Sequence, residues 1–276
     1  MLSYKHGFHA GNHADVLKHI VLIYLYNLSK KHCKSMTYID THSGNGIYKY
    51  SSRYMDKTKE YKYGIKKIEK YTGDNKLIIN YLRILKKITK NDTFYPGSPF
   101  IISNISEAKD KLFLCEMHSN EFKSLKINLT NFNNVKLVNS SGFEYINKIS
   151  NINNNYFIFI DPSYEIKDDF EKIYNFIDNI EIKFEKAKIL IWYPILSYSE
   201  NDIFIETIRK KGISNILNLE LPILKDDDNR GMKGSGLLII NFNNKLIFKN
   251  LKLLIRELNV YLTDNNEVFK PKIRYF

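Results

Sequence analysis

Cysteine is scarce in this chain of 276 residues: Cys33 and Cys115 are the only two, and both lie in or beside apolar runs. Their spacing suits neither a zinc site nor a disulfide framework, so they are expected to be buried thiols in a reducing cytoplasm. Long apolar runs are missing too. No stretch approaches the ~20 apolar residues that span a bilayer, and Met1 to Gly11 carries histidines where a signal peptide needs an apolar stretch. The expectation is a soluble, cytoplasmic protein that meets no membrane. Acidic residues are short as well, at 30 Asp and Glu against 42 Lys and Arg, for a formal charge of +12 and a pI near 9.3. Such a surplus favours a polyanionic partner through phosphate neutralisation and counterion release. A Lys-biased composition that also inflates Asn and Ile would raise the same charge. Internal repeats and low-complexity linkers are absent.

What the chain does have is core material, 43% hydrophobic and 14% aromatic, enough for a single domain over 1–276. Apolar, β-branched runs suited to buried strands occur at 36–40, 111–116, 135–139, 156–161, 188–193, 216–221 and 236–242. Helical periodicity fills most gaps. Leu17, Ile20, Tyr24 and Leu28 share a face after an Asn12 cap; Phe170, Ile173, Ile177 and Ile180 do so after Asp168; Ile247, Leu251, Leu254, Leu258 and Leu262 follow near the end. This alternation predicts an α/β fold with a mainly parallel seven-stranded sheet, covered on both faces, with ligand sites at the C-terminal ends of its strands. Between Lys49 and Lys90 the alternation breaks. Tyr61, Ile65 and Ile68, then Ile78, Tyr81, Leu85 and Ile88, mark two helices with no strand between them, read as a helical insertion over 49–95. Lys49 to Lys90 holds 13 Lys and Arg against 4 Asp and Glu, a surplus of nine out of the chain's +12. That concentration favours a phosphate-facing surface over a merely solvated one.

Four strand ends carry chemistry. Ile160-Asp161-Pro162-Ser163-Tyr164 closes an apolar strand just before a helix. An amine conjugated to a base keeps its lone pair in the ring, so a site that methylates it must hold both amino hydrogens while the nitrogen turns toward a methyl donor. Asp161 and the Pro162 carbonyl can accept those hydrogens, and Tyr164 can stack on the extruded base. An ordinary strand-to-helix turn would also use Asp and Pro. Tyr38 to Gly46 places small residues and the acidic Asp40 after the first strand, where backbone can approach a nucleoside closely and Asp40 can orient the loop or meet the ligand. The glycine spacing excludes a dinucleotide-binding fingerprint. Glu116 ends the next strand, where a carboxylate can grip both ribose hydroxyls, and Ser141-Gly142 follows the strand after that.

The opening Met1-Leu2-Ser3-Tyr4-Lys5-His6, with Phe8-His9-Ala10-Gly11-Asn12-His13-Ala14-Asp15-Val16-Leu17-Lys18-His19, closely resembles the bacterial 23S ribosomal RNA adenine-N6 methyltransferase family. The resemblance continues through Asp40-Thr41-His42-Ser43-Gly44, Tyr95-Pro96-Gly97-Ser98-Pro99, Asp161-Pro162-Ser163-Tyr164, Trp192-Tyr193-Pro194, Arg230-Gly231-Met232 and Ser235-Gly236, covering nearly the whole chain in order. It implies a Rossmann-like methyltransferase with a helical insertion, using S-adenosylmethionine to methylate N6 of an adenine in 23S ribosomal RNA; a monomer is expected. It places the donor against His19, His42, Ser98, Glu116, Ser141, Gly142 and Asp161, with Asp161 also catalytic. Tyr4, Pro162 and Tyr164 fall on the RNA side. Two residues depart from the family pattern: Ser163 replaces a second proline, and Ser141 replaces an acidic residue before Gly142. A DNA adenine methyltransferase shares the chemistry but needs a sequence-reading domain not recognisable here. A non-catalytic RNA-binding protein of the same fold has only Ser163 in its favour. All seven histidines lie in the first half, yet no carboxylate or cysteine stands at ligand spacing, so no metal is expected.

Overall fold

All seven apolar runs form strands in the computed structural model, which describes residues 5–89, 92–149, 155–164, 168–179, 183–213, 215–224, 231–263 and 269–276. In chain order the elements are α1 (His13–Lys30), β1 (Thr37–Asp40), β2 (Ile47–Lys49), α2 (Arg53–Thr58), α3 (Ile65–Ile68), α4 (Lys76–Thr89), β3 (Phe94–Pro96), α5 (Ser98–Ile105), β4 (Lys111–Cys115), α6 (Ser119–Asn128), β5 (Val135–Val138), α7 (Gly142–Lys148), β6 (Tyr156–Ile160), α8 (Asp168–Asp178), β7 (Lys188–Ile195), α9 (Tyr198–Lys210), β8 (Ile216–Pro222), β9 (Gly234–Ile240), α10 (Lys245–Leu262) and β10 (Lys272–Tyr275).

The main sheet has eight strands rather than the expected seven, in the order β10-β8-β9-β7-β6-β1-β4-β5. From β5 to β7 every pairing is parallel, while β9 runs antiparallel between β7 and β8, and β10 adds antiparallel to β8. The eighth strand escaped the sequence because Lys272 and Arg274 break its apolar pattern, as charged residues do on an edge strand. The chain leaves β1 toward β4 and β5, then returns on β1's other side as β6 and β7. That reversal opens a crevice beyond the strand ends, the usual ligand position in a Rossmann-like sheet.

Alternation along each strand sorts the core into two layers. Tyr38, Phe157 and Phe159 face a cluster with α1, α4, α5 and α10, whereas Ile39, Ile158 and Ile160 face one with α7, α8 and α9. α10 buries its predicted stripe of Ile247, Leu251, Leu254, Leu258 and Leu262. α1 departs from expectation: Asn12 caps it by accepting from Ala14 N and Asp15 N, but burial extends around the circumference of its first ten residues, and Tyr24 and Leu28 are among its less buried members. Such a helix is interior, not a surface element. Ile180 and the side chain of Asp168 lie outside the described residues. Cys115 is buried, which pushes its thiol up to about 12, but Cys33 is only half-buried.

The segment read as a helical insertion over 49–95 holds α2, α3 and α4 and is bounded by two short strands. β2 and β3 pair antiparallel, Ile47 opposite Pro96, and bring the two ends of the helical segment together. Ile65, Ile68, Ile78, Tyr81 and Leu85 join the α1 layer of the core. No helix among the described residues is long and apolar enough to cross a membrane.

Candidate functional site

At the end of β1, Asp40 is fully buried. Ser98 Oγ donates to its Oδ2 at 2.7 Å, Tyr38 OH donates to the same oxygen at 3.2 Å, and the His42 backbone N–H donates to Oδ1 at 3.2 Å. Burial pushes its pKa up to about 7 against those hydrogen bonds. Of its two anticipated tasks, Asp40 therefore performs loop orientation, pinning the β1 turn to the start of α5. Glu116 sits just past β4 and receives the Gly44 N–H at 2.8 Å and the His118 N–H at 2.6 Å, one on each oxygen. Each oxygen retains a lone pair for a further donor.

Gly142 opens α7 where a side chain is impossible, since an added Cβ would overlap the backbone of Thr41. The close approach brings the third strand end against the first. His19 and His42 complete this wall: His19 Nδ1 lies 2.7 Å from Tyr95 OH, and His42 Nδ1 lies 2.7 Å from Thr41 Oγ1. Burial lowers both rings to about 3, so both are neutral at physiological pH.

Asp161 follows β6 and is met by a residue to which the sequence assigned no role. Lys18, buried in α1, donates to Asp161 Oδ2 at 2.7 Å, lies 3.1 Å from Asp15 Oδ1, and sits 4.6 Å over the Trp192 ring. Asp15 in turn meets His6 Nε2 and the Gly11 N–H, each at 2.9 Å. Burial raises the Asp161 pKa and Lys18 opposes the rise. The available signal was a lone cation in the middle of a helix apolar on every side, which must find a carboxylate. Tyr164 takes a left-handed backbone conformation, φ 53°, unusual for an aromatic residue. It is held there by its N–H donating to Asp169 Oδ2 at 3.0 Å and its hydroxyl donating to the Trp192 carbonyl at 2.6 Å.

These residues surround two adjoining cavities. The first, about 280 Å³, is lined by all seven residues grouped from the sequence, His19, His42, Ser98, Glu116, Ser141, Gly142 and Asp161. The second, about 560 Å³, is lined by Lys18, His13, Tyr63, Tyr164 and Trp192 among others. His6, Asp15 and Ser163 border both. Pro162 is buried and lines neither, and Tyr4 and Arg230 lie outside the described residues. No group of three or more His, Cys, Asp or Glu side chains suited to a metal occurs among the described residues.

Comparison with known proteins identifies the family. The family model described as "Ribosomal RNA large subunit methyltransferase D, RlmJ" matches residues 33–264. A Haemophilus influenzae protein named ribosomal RNA large subunit methyltransferase J is 36% identical over 245 residues, 87% of each chain, and its Escherichia coli namesake is 33% identical over 244 residues, again 87% of each. A crystal structure of a Legionella pneumophila protein superposes with a TM-score of 0.86 at 33% identity, covering 97% of this chain and 98% of the other. With a match spanning most of the chain and relatives above 30% identity along its length, this protein belongs to the RlmJ family of ribosomal RNA large subunit methyltransferases.

Proposed function

We propose that this methyltransferase transfers a methyl group to N6 of an adenine in 23S ribosomal RNA, with the base extruded toward Asp161. S-adenosylmethionine is the donor, and when bound it supplies a cationic sulfonium whose methyl group is open to nucleophilic attack. The first cavity suits it. Glu116 retains acceptor capacity for two ribose hydroxyls, Gly142 leaves room for close backbone approach, and the neutral His19 and His42 add no positive charge beside a sulfonium.

On the other side of Asp161, the second cavity suits a purine. The buried Trp192 Nε1 has no hydrogen-bond partner among the described residues, and adenine offers ring-nitrogen acceptors to such a donor. Lys18 holds Asp161 Oδ2, which leaves Oδ1 to accept an N6 hydrogen and then the proton that leaves as the N6–methyl bond forms. Tyr164 lines the base side, and Tyr4 belongs to the RNA side by family resemblance. The protein acts as a monomer in this reading.

The observation that carries the proposal is the position of Asp161, which borders the first cavity while its partner Lys18 borders the second. The test is tritiated-methyl transfer to free 23S RNA, assembled large subunits and DNA, followed by nucleoside analysis of the labelled product. N6-methyladenosine in RNA is expected. Label confined to DNA, or carried by another base, would overturn the reading.

A further inference from the structure

Large apolar side chains exposed singly are normal on a protein surface, but three of them here rim one opening. Tyr63, 60% exposed, Leu224, 53%, and Leu196, 41%, all line the second cavity, and they come from three separate stretches of chain. Tyr63 ends a 3-10 turn spanning Glu60–Tyr63 that is fastened on both sides. Ahead of it, the Glu60 carboxylate receives Asn12 Nδ2 at 3.0 Å and lies 2.9 Å from His9 Nδ1. Behind it, Gly64 packs so tightly against Gly11 and Asn12 that a Cβ there would overlap their backbone, and the Ile65 N–H donates to the Gly11 carbonyl at 2.8 Å. An exposed ring on a fixed base loses little freedom on binding, which is what a stacking platform requires. Exposed Lys62 adjoins it, within the segment that carries most of the chain's positive surplus.

Resting on the reading that the extruded adenine enters beside Asp161, we propose that Tyr63 is a ledge on which a nucleobase flanking that adenine stacks, with Leu196 and Leu224 forming the rest of its apolar rim. The occupant is single-stranded RNA. Unpaired bases present π-faces of any sequence to an aromatic ring, and their phosphates suit a neighbouring lysine. The ledge therefore holds the RNA strand open at the cavity mouth and contributes to RNA capture rather than to chemistry.

The test compares wild type, Tyr63→Phe and Tyr63→Ala in methyl transfer to in vitro transcribed 23S RNA, alongside donor titration and thermal melting. Tyr63→Ala is expected to raise KM for RNA about tenfold, near the lower end of the range for removing one ring from beneath a base, with kcat, donor affinity and melting temperature unchanged. Tyr63→Phe, which keeps the ring, should stay within about twofold of wild type. Transfer by wild type with Tyr63→Ala indistinguishable from it overturns this inference alone, whereas absence of transfer by wild type overturns the functional reading with it. A Tyr63→Phe defect as large as that of Ala would assign the effect to the hydroxyl and overturn stacking.

Discussion

Around the first cavity most polar groups already have partners: Asp40 holds Ser98 and Tyr38, Glu116 holds two backbone N–H groups, and His19 and His42 are each bonded through Nδ1, leaving Glu121 Oε2 as an exception. Around the second, Trp192 Nε1 and His13 Nδ1 are buried without partners among the described residues, and the mouth is apolar. The two therefore differ in how far the protein alone completes them. The first is rigid and shaped before its ligand arrives, as suits a small molecule that is always the same. The second keeps buried polar atoms unpaired among the described residues, and in the function proposed above an RNA base supplies the missing partner, which rewards the correct base and penalises one lacking the acceptor.

The strongest way to break this comparison is at the boundary. Asp161→Ala should lower methyl transfer by at least ~10²- to 10³-fold, the scale for losing a group that stabilises the transition state, while donor affinity by calorimetry is largely kept. Turnover within about tenfold of wild type would remove Asp161 from the chemistry. Beneath the first cavity, Asp40 has a folded pKa of about 7, above its unfolded value, so the folded state binds the proton more tightly. Its contribution to stability is therefore greatest below the unfolded value and is lost as pH rises through about 7, by up to about 1.4 kcal/mol per pH unit. Stability measured against pH for wild type and Asp40→Asn should differ by that falling slope, and parallel curves would show that Asp40 does not titrate there. Glu116→Ala should weaken S-adenosylmethionine by ~1.5 to 3 kcal/mol, as for a lost hydrogen bond to a charged group, and leave RNA affinity alone. Unchanged donor affinity would place the ribose elsewhere. The smallest effect belongs to the outer surface. Lys62→Gln with Lys70→Gln should flatten the salt dependence of RNA binding by up to roughly 0.7 to 0.9 log units for each phosphate no longer neutralised, and an unchanged slope would make both lysines merely solvated. Lys66 is a poorer probe, because it pairs with Glu69 and Asp92 at 2.9 and 2.7 Å and lies over the Tyr50 ring.

The sequence disclosed whatever depends on local pattern. Strands such as Tyr156–Ile160 are continuous apolar runs, the α10 stripe has helical spacing, and a carboxylate at a strand end reveals itself by position alone. Grouping the cavity residues also needed family resemblance, since His19 and Ser98 stand far from any strand-end motif. Hidden features depended on partners distant in the chain. Lys18 and Asp161 are 143 positions apart, so nothing near either names the other. β2 and β3 have three residues each and become strands only through each other. Lys66 reads as surface charge in sequence because Asp92 comes 26 positions later.

The burial of the first part of α1 on every side has a consequence for synthesis. It is the chain's first long helix, yet part of its cover is β9 and α10, which emerge roughly 200 residues later, or about 10 to 40 s at ordinary translation rates. Through that interval one of the most apolar segments of the protein has no complete interior to enter. A nascent chain that stops before α10 thus leaves incompletely covered the very helix that holds Lys18 against Asp161, so this ion pair gains its full interior only when the far end of the polypeptide closes over the near one.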